Sequence, residues 1–312
     1  MISKAPAIAT LILTLVLPNL AAAARPQARP QSASQSKPQG PPPSEREIRD
    51  RAEKLLSNQH NDDETLELYE RVERHVERSG GANPRTLGDK TYRVIPTGSG
   101  TQKILLREDG KPVDPSAYQQ QLQMLKNLLQ VMANPNNPKA KTAYAKREKR
   151  EKERVEFVDA TKDAFIPKSA GTATMNGRVC DVFDLTPNPD FHPRSIFQDA
   201  LTHVAAKLWV DHETNQMVHG EARVTSDIPF VGGIVGKVYK GSFVAIDQEE
   251  MAPNVWLPTH YEYDFTGRKF LFSFEQHQTI EVTRYRRVGR PQEALPIVEA
   301  ELASGKTFSE LP

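Results

Sequence analysis

Cysteine is almost absent from this 312-residue chain, which holds Cys180 alone. One thiol excludes an internal disulfide framework and any zinc site built on a cysteine cluster. An excess of charge of one sign is missing too, with 41 lysines and arginines against 40 aspartates and glutamates. Nucleic-acid binders carry a clear basic surplus, so this balance argues against a nucleic-acid partner. Beyond the first twenty residues no apolar run approaches the roughly 20 residues a bilayer span requires, so no stable membrane span is expected in the mature chain.

Catalytic signatures are lacking as well. There is no Gly-x-Ser-x-Gly elbow, the turn on which α/β-hydrolases mount their nucleophile. Gly232 to Lys237 is one residue short of a phosphate loop, and Val238 stands where Ser or Thr is needed. His203, His212, His219, His260 and His277 form no His-Glu-x-x-His pair and have no cysteine to support a metal. Strand alternation buries Cys180 as an inert thiol. The expectation is a protein with no catalytic residues, no metal and no cofactor.

What is present begins with an address. Met1 to Lys4 is short and basic, Ala5 to Leu20 is mostly apolar, and Ala22 with Ala24 gives a small-x-small cleavage pattern. This is the layout of a secretory signal, 1–24, cleaved near Ala24. Residues 25–43 are rich in Pro, Gln and Ser, cannot bury an apolar face, and read as a disordered spacer.

The folded part is expected over 44–290, with a tail at 291–312. Ser44 and Glu47 have the spacing of a capping box, ahead of Ile48, Ala52, Leu55 and Leu56 on one helical face; that helix is expected to end near Asn58. Leu66 to Val76 fits both strand parity and a helical stripe. Strands are expected around Tyr92–Ile95 and Ile104–Leu106. A helical insertion follows at 114–165: a first helix opens at Asp114-Pro115 and carries Leu122, Leu125 and Leu129, and a second runs from about Lys139 to Phe165. The second holds eight basic and three acidic residues between Lys139 and Arg154. Lys146, Arg147, Lys149 and Arg150 mark its basic face, which could touch an acidic partner.

From residue 170 the pattern is strands. Asn176-Gly177 joins two of them, a strong hairpin signal. Ser195 caps a short helix, and strands follow around Ala206–Val210, Val218–Val224, Val238–Gln248, Val255–Phe265 and Phe270–Val282, with a turn expected at Thr266-Gly267. Intervals this short favour antiparallel meanders over βαβ crossovers. So wide a sheet curls, and a curled sheet with one apolar face needs helices to cover it. Asp227 to Gly236 is apolar and Gly-rich. Phe230, Val231, Ile234 and Val235 there are either a movable lid or a hairpin tip packed on the core.

Residues 178–288 resemble the periplasmic lipoprotein-carrier, or LolA-like, superfamily. The resemblance is carried by Arg178 to Pro187, Leu208-Trp209-Val210-Asp211, Lys240-Gly241-Ser242-Phe243, Val255-Trp256-Leu257-Pro258-Thr259 and Phe265-Thr266-Gly267-Arg268. It implies an α+β fold, a curved antiparallel sheet forming an unclosed β-barrel with covering helices, and it favours a strand over Leu66–Val76. It also implies a periplasmic protein that holds a lipid or the acyl chains of a lipoprotein in an apolar hollow. Relatives use the same fold to sense envelope stress by contact with a protein partner, which is the alternative reading. Trp209, Phe243, Tyr261 and Phe272 are the residues expected to border the hollow. Parity within each strand does not say which side of the sheet is concave.

Overall fold

The computed structural model describes residues 35–36, 44–81, 83–230, 233, 235–306 and 308. The expected signal at 1–24, most of the spacer, and Val231 and Ile234 lie outside them. Among the described residues the strands form one antiparallel sheet whose ends do not meet. Its order is β1 (Gln35–Ser36), β6 (Phe165–Met175), β7 (Arg178–Pro187), β8 (Val204–Asp211), β9 (Met217–Val224), β12 (Phe243–Ala252), β13 (Val255–Lys269), β14 (Phe272–Arg287), β2 (Tyr69–Arg78), β3 (Thr86–Pro96), β4 (Thr101–Glu108) and β5 (Lys111–Pro112). The short hairpin β10 (Ile228–Phe230) and β11 (Gly236–Val238) runs alongside β13. This is the unclosed antiparallel sheet expected.

Among the described residues five helices accompany it. These are α1 (Glu45–Leu66), α2 (Pro115–Ala133), α3 (Pro138–Ala164), α4 (Ile196–Leu201) and α5 (Pro291–Ser304). The α1 start is a capping box in which the Ser44 hydroxyl accepts from Glu47 N–H while the Glu47 carboxylate accepts from Ser44 N–H. Asp114 caps α2 ahead of Pro115, where a missing N–H costs nothing. Asn176 and Gly177, at φ 49° and 77°, make the left-handed two-residue turn between β6 and β7.

The two faces of the sheet are covered differently. On one face of β2, β3 and β4, helices α2 and α5 bury a compact cluster that includes Ile95, Ile104, Leu122, Leu125, Leu129 and Val298. Segment 291–312, expected as a tail outside the domain, thus contributes α5 to the main core. Ala294 and Val298 fall on one helical face, and Phe308 beyond them is buried in the same cluster. For the same reason α2 belongs to the core and is not an appendage. Helix α3 behaves otherwise, because only Ala140 and Ala164 of its 27 residues are buried.

Three expected boundaries move. Helix α1 runs past Asn58 to Leu66. Asn58 does not stop it, because its amide donates to the Thr214 and Asn215 carbonyls and leaves the backbone helical. The expected strand Val238–Gln248 is divided into β11 and β12 by a turn at Lys240-Gly241. Thr266-Gly267 is not a turn, since β13 continues to Lys269 and reverses at Phe270-Leu271. A Cβ at Gly267 would stand 2.5 Å from the Lys237 carbonyl and 2.7 Å from the Phe274 ring. The glycine there permits close approach between strands.

Candidate functional site: the face beneath helix α1

Register defines a single row across the sheet. Phe183 pairs with Leu208, Leu208 with Gly220, Gly220 with Ile246, Ile246 with Tyr261, Tyr261 with Ile280, and Ile280 with His75. Directly opposed residues share a face, so these seven belong to one side. Period-2 alternation adds Leu185, Val244 and Tyr263. Phe183, Tyr263 and Ile280 are buried, but Leu185, Leu208, Val244, Ile246 and Tyr261 are only half-buried. This apolar face is therefore incompletely covered, whereas the cluster under α2 and α5 is sealed.

Helix α1 is the cover. Its apolar stripe of Ile48, Ala52, Leu55 and Leu56 is itself half-buried, and polar contacts fasten it. At one end Arg51 pairs with Asp181 at 2.5 Å and its guanidinium lies 5.9 Å from the Phe183 ring centre. In the middle Asn58 holds the β8–β9 turn. At the other end Asp63 pairs with Arg154 of α3, and Asp62 accepts from the Trp256 N–H.

The row turns polar where it reaches β2. Glu73 Oε2 lies 2.7 Å from Lys103 Nζ and 2.8 Å from His75 Nε2, and Arg71 Nε donates to Glu73 Oε1 at 2.8 Å. Gln278 Nε2 lies 3.3 Å from His75 Nδ1. Burial works against ionisation of Glu73, but Arg71, His75 and Lys103 overcome it and hold the carboxyl well below the usual carboxylate range. Burial lowers His75 and Lys103 from their ordinary values. Burial raises the Tyr263 hydroxyl, and that oxygen has no hydrogen-bond partner among the described residues. A buried hydroxyl without a partner marks a place where a ligand's polar atom would gain a bond. The site thus has a long apolar floor, a charged pole and an unmet donor–acceptor.

The four residues expected to border one hollow divide between the faces. Tyr261 lies in the row, and Phe272 shares its parity at the far end of β14, 78% exposed. Trp209 pairs with His219, and Phe243 pairs with Asp264 and Arg223, on the opposite face. There Trp209 packs edge-on against His219 at 4.8 Å, and Arg223 covers the Phe243 ring at 4.6 Å. Aromatic identity drew attention to them, and parity within single strands could not link strand to strand. The residues missed, Leu208 and Ile246, and the polar group on β2, emerge only from cross-strand register.

Of the lid candidates, Phe230 is buried with Ala200, Val224 and Ile228, and Val235 is half-buried. Phe230 is therefore a packed hairpin residue, and the covering role passes to α1. On the basic face, Arg147 pairs with Glu67 and donates to the Gly98 carbonyl, Arg150 donates to the Ser99 carbonyl, and Lys149 approaches Glu153. Lys146 is exposed. Half of this face thus anchors α3 to the rest of the molecule.

A cleft of about 1030 Å³ lies between α3 and residues 188–198, lined by Phe157, Phe191 and Phe197 together with Glu153, Glu156, Asp159, Asp163, Asp190 and Arg194. Its wall thus mixes aromatic rings with carboxylates. Among the described residues no three His, Cys, Asp or Glu side chains group to hold a metal ion, and no helix is long and apolar enough to cross a membrane.

No protein-family model matches the chain, and no curated protein matches it. Solved structures do. A protein domain from Vibrio parahaemolyticus described as outer membrane lipoprotein-sorting is 11% identical, with a TM-score of 0.29 over 75% of this chain and 92% of that one. A LolA superfamily protein from Nitrosomonas europaea is 8% identical, with a TM-score of 0.27 over 76% and 91%. MucB, solved in complex with the periplasmic part of MucA, is 10% identical, with a TM-score of 0.22 over 74% and 93%.

Proposed function

We propose that this protein is an exported periplasmic binding protein that holds a lipid, or the acyl chain of a lipidated protein, on the apolar face beneath α1. The observation that carries the reading is the row from Phe183 to Ile280, six strands wide and only half-buried where Leu208, Ile246 and Tyr261 stand. Each methylene moved from water onto such a surface gains about 0.8 kcal/mol. An acyl chain therefore needs no reactive group to be held. The charged pole at Arg71, Glu73, His75 and Lys103, next to the Tyr263 hydroxyl, suits the polar end of an amphiphile better than a plain hydrocarbon.

Helix α1 supplies the means of entry. Its polar contacts run through Arg51, Asn58, Asp62 and Asp63, and its apolar stripe is only half-buried, so lifting it exposes less apolar surface than opening the cluster under α2 and α5 would. A ligand that fills the row would bind the opened arrangement better, and the equilibrium would shift by that difference.

The test is titration of the purified chain with a fluorescent fatty-acid probe. Saturable binding is expected. Leu208→Glu should abolish it, because a carboxylate in the row costs several kcal/mol to desolvate. Thr279→Glu, on the opposite face of β14, should leave it unchanged. Equal binding by both variants would refute the reading. A second reading, an envelope module that binds a protein partner, draws on the solvated length of α3. It predicts no probe binding, and a crosslink to one partner that Lys146→Glu removes.

A further inference from the structure

The largest exposed apolar feature among the described residues is remote from α1. Phe270, Leu271 and Phe272 are consecutive and 51%, 87% and 78% exposed, and Phe274 follows at 37%. They form the reversal of β13 and β14, the two longest strands, where Lys269 pairs with Phe272 across a two-residue loop. The neighbouring β10–β11 hairpin is tied to this tip. Phe270 N–H donates to the Val235 carbonyl at 3.0 Å, and the Arg268 guanidinium donates to the Gly233 and Phe270 carbonyls at 2.9 Å each. These bonds to Gly233 and Val235 brace the β13–β14 tip.

A second, independent observation concerns the backbone. Phe270 has φ 54°. In a two-residue hairpin loop that conformation belongs to Gly, Asn or Asp, and a bulky side chain is strained there. The chain thus accepts local strain to keep an aromatic ring in the exposed loop.

We propose that this tip is a membrane-docking element that inserts shallowly into an anionic bilayer surface. The occupant follows from exposure and charge. Leu271 and Phe272 stand almost wholly in solvent, which suits a soft interface better than a shaped pocket. Arg268 and Lys269 directly precede the apolar residues, and no acidic residue intervenes before Glu275. Cations at the headgroups with apolar side chains just beneath them is how interfacial segments seat. The inference goes beyond the acyl-binding reading and does not depend on it, since the tip would dock whether or not the row holds a ligand.

The experiment is co-sedimentation of the full chain with vesicles of phosphatidylglycerol and phosphatidylethanolamine, with pure phosphatidylcholine vesicles in parallel. The protein should pellet with the anionic vesicles and much less with phosphatidylcholine. Leu271→Asp should lower anionic binding by about tenfold or more, because a charge replaces the most exposed apolar side chain. Lys269→Glu should weaken binding and reduce its salt sensitivity. Phe270→Gly should weaken binding while raising the melting temperature, which separates loss of docking from loss of fold. A wild-type chain that stays in the supernatant would overturn the proposal. So would a Leu271→Asp variant that pellets like wild type, or a dimer that depends on Leu271 in a protein that ignores vesicles.

Discussion

Arg93 on β3 and Glu301 on α5 meet at 2.5 Å although 208 residues separate them in sequence. The guanidinium also donates to Glu70 on β2 at 2.7 Å, and Arg93, Glu70 and Glu301 are all buried. Arg286 joins the same two carboxylates from β14. This network fastens the C-terminal helix to the sheet on the face opposite the candidate site. Removing one partner of a buried ion pair leaves an uncompensated charge. Arg93→Met is therefore expected to cost about 3–5 kcal/mol in urea unfolding. A cost below about 1 kcal/mol would show that α5 is held by apolar packing alone.

His219 provides a pH test. Its ring nitrogens lie 2.5 Å from Asp247 and 3.2 Å from Glu221. Burial disfavours the imidazolium, but the two carboxylates prevail and push it up to about 9. A folded value above the unfolded one gives stability that is fully present below about pH 6.5 and is lost as pH rises through about 9. His219→Gln should flatten the decline between pH 6.5 and 9, a difference of roughly 2–3 kcal/mol. Chemical denaturation across that range checks it.

Asp62 acts in the same direction for a different reason. Burial, with the neighbouring Asp63 charge, pushes its carboxyl up to about 7, and Oδ2 has no partner among the described residues. An acid whose folded value is raised binds a proton the unfolded chain has released, so its cost appears above about pH 4 and is complete above about pH 7. Asp62→Asn keeps an acceptor for the Trp256 N–H and should stabilise the protein by roughly 2–4 kcal/mol at pH 8 and hardly at all at pH 3.5. An equal gain at both values would locate the effect elsewhere.

Loosening α1 should show in exchange. Arg51→Ala removes the pair with Asp181 and the contact over Phe183. The expected outcome is faster amide hydrogen exchange confined to α1, with the network around Arg93 unchanged. Weakly held covers open locally at small free-energy cost. Uniform acceleration across the sheet would mean that α1 is integral to the core.

What the sequence revealed follows the range of the interactions. Local signals were legible: the Asn176-Gly177 turn, the Asp114-Pro115 start, the Ser195 cap, and the alternation from Tyr261 to Phe265. Leu66–Val76 resolved into the end of α1 and strand β2, because Tyr69–Arg78 pairs with β14 and β3 on both sides. The errors came where a residue has a long-range task. Asn58 looks like a helix stop but bonds a distant turn, and Gly267 looks like a turn but admits a neighbouring strand. Segment 291–312 looks like a tail because the core it completes lies on β2–β4, two hundred residues earlier. The candidate site was hidden for the same reason, since a row running across strands from Phe183 to His75 has no signature along the chain.

The most direct test of the account is native mass spectrometry of the chain after export into a bacterial periplasm, without detergent. Acyl binding beneath α1 predicts a population carrying the extra mass of one acyl-bearing molecule, which collisional activation releases and which Leu208→Glu eliminates while the fold persists. Wild-type protein that is consistently free of added mass, and that takes up no fatty acid when one is supplied, would contradict it.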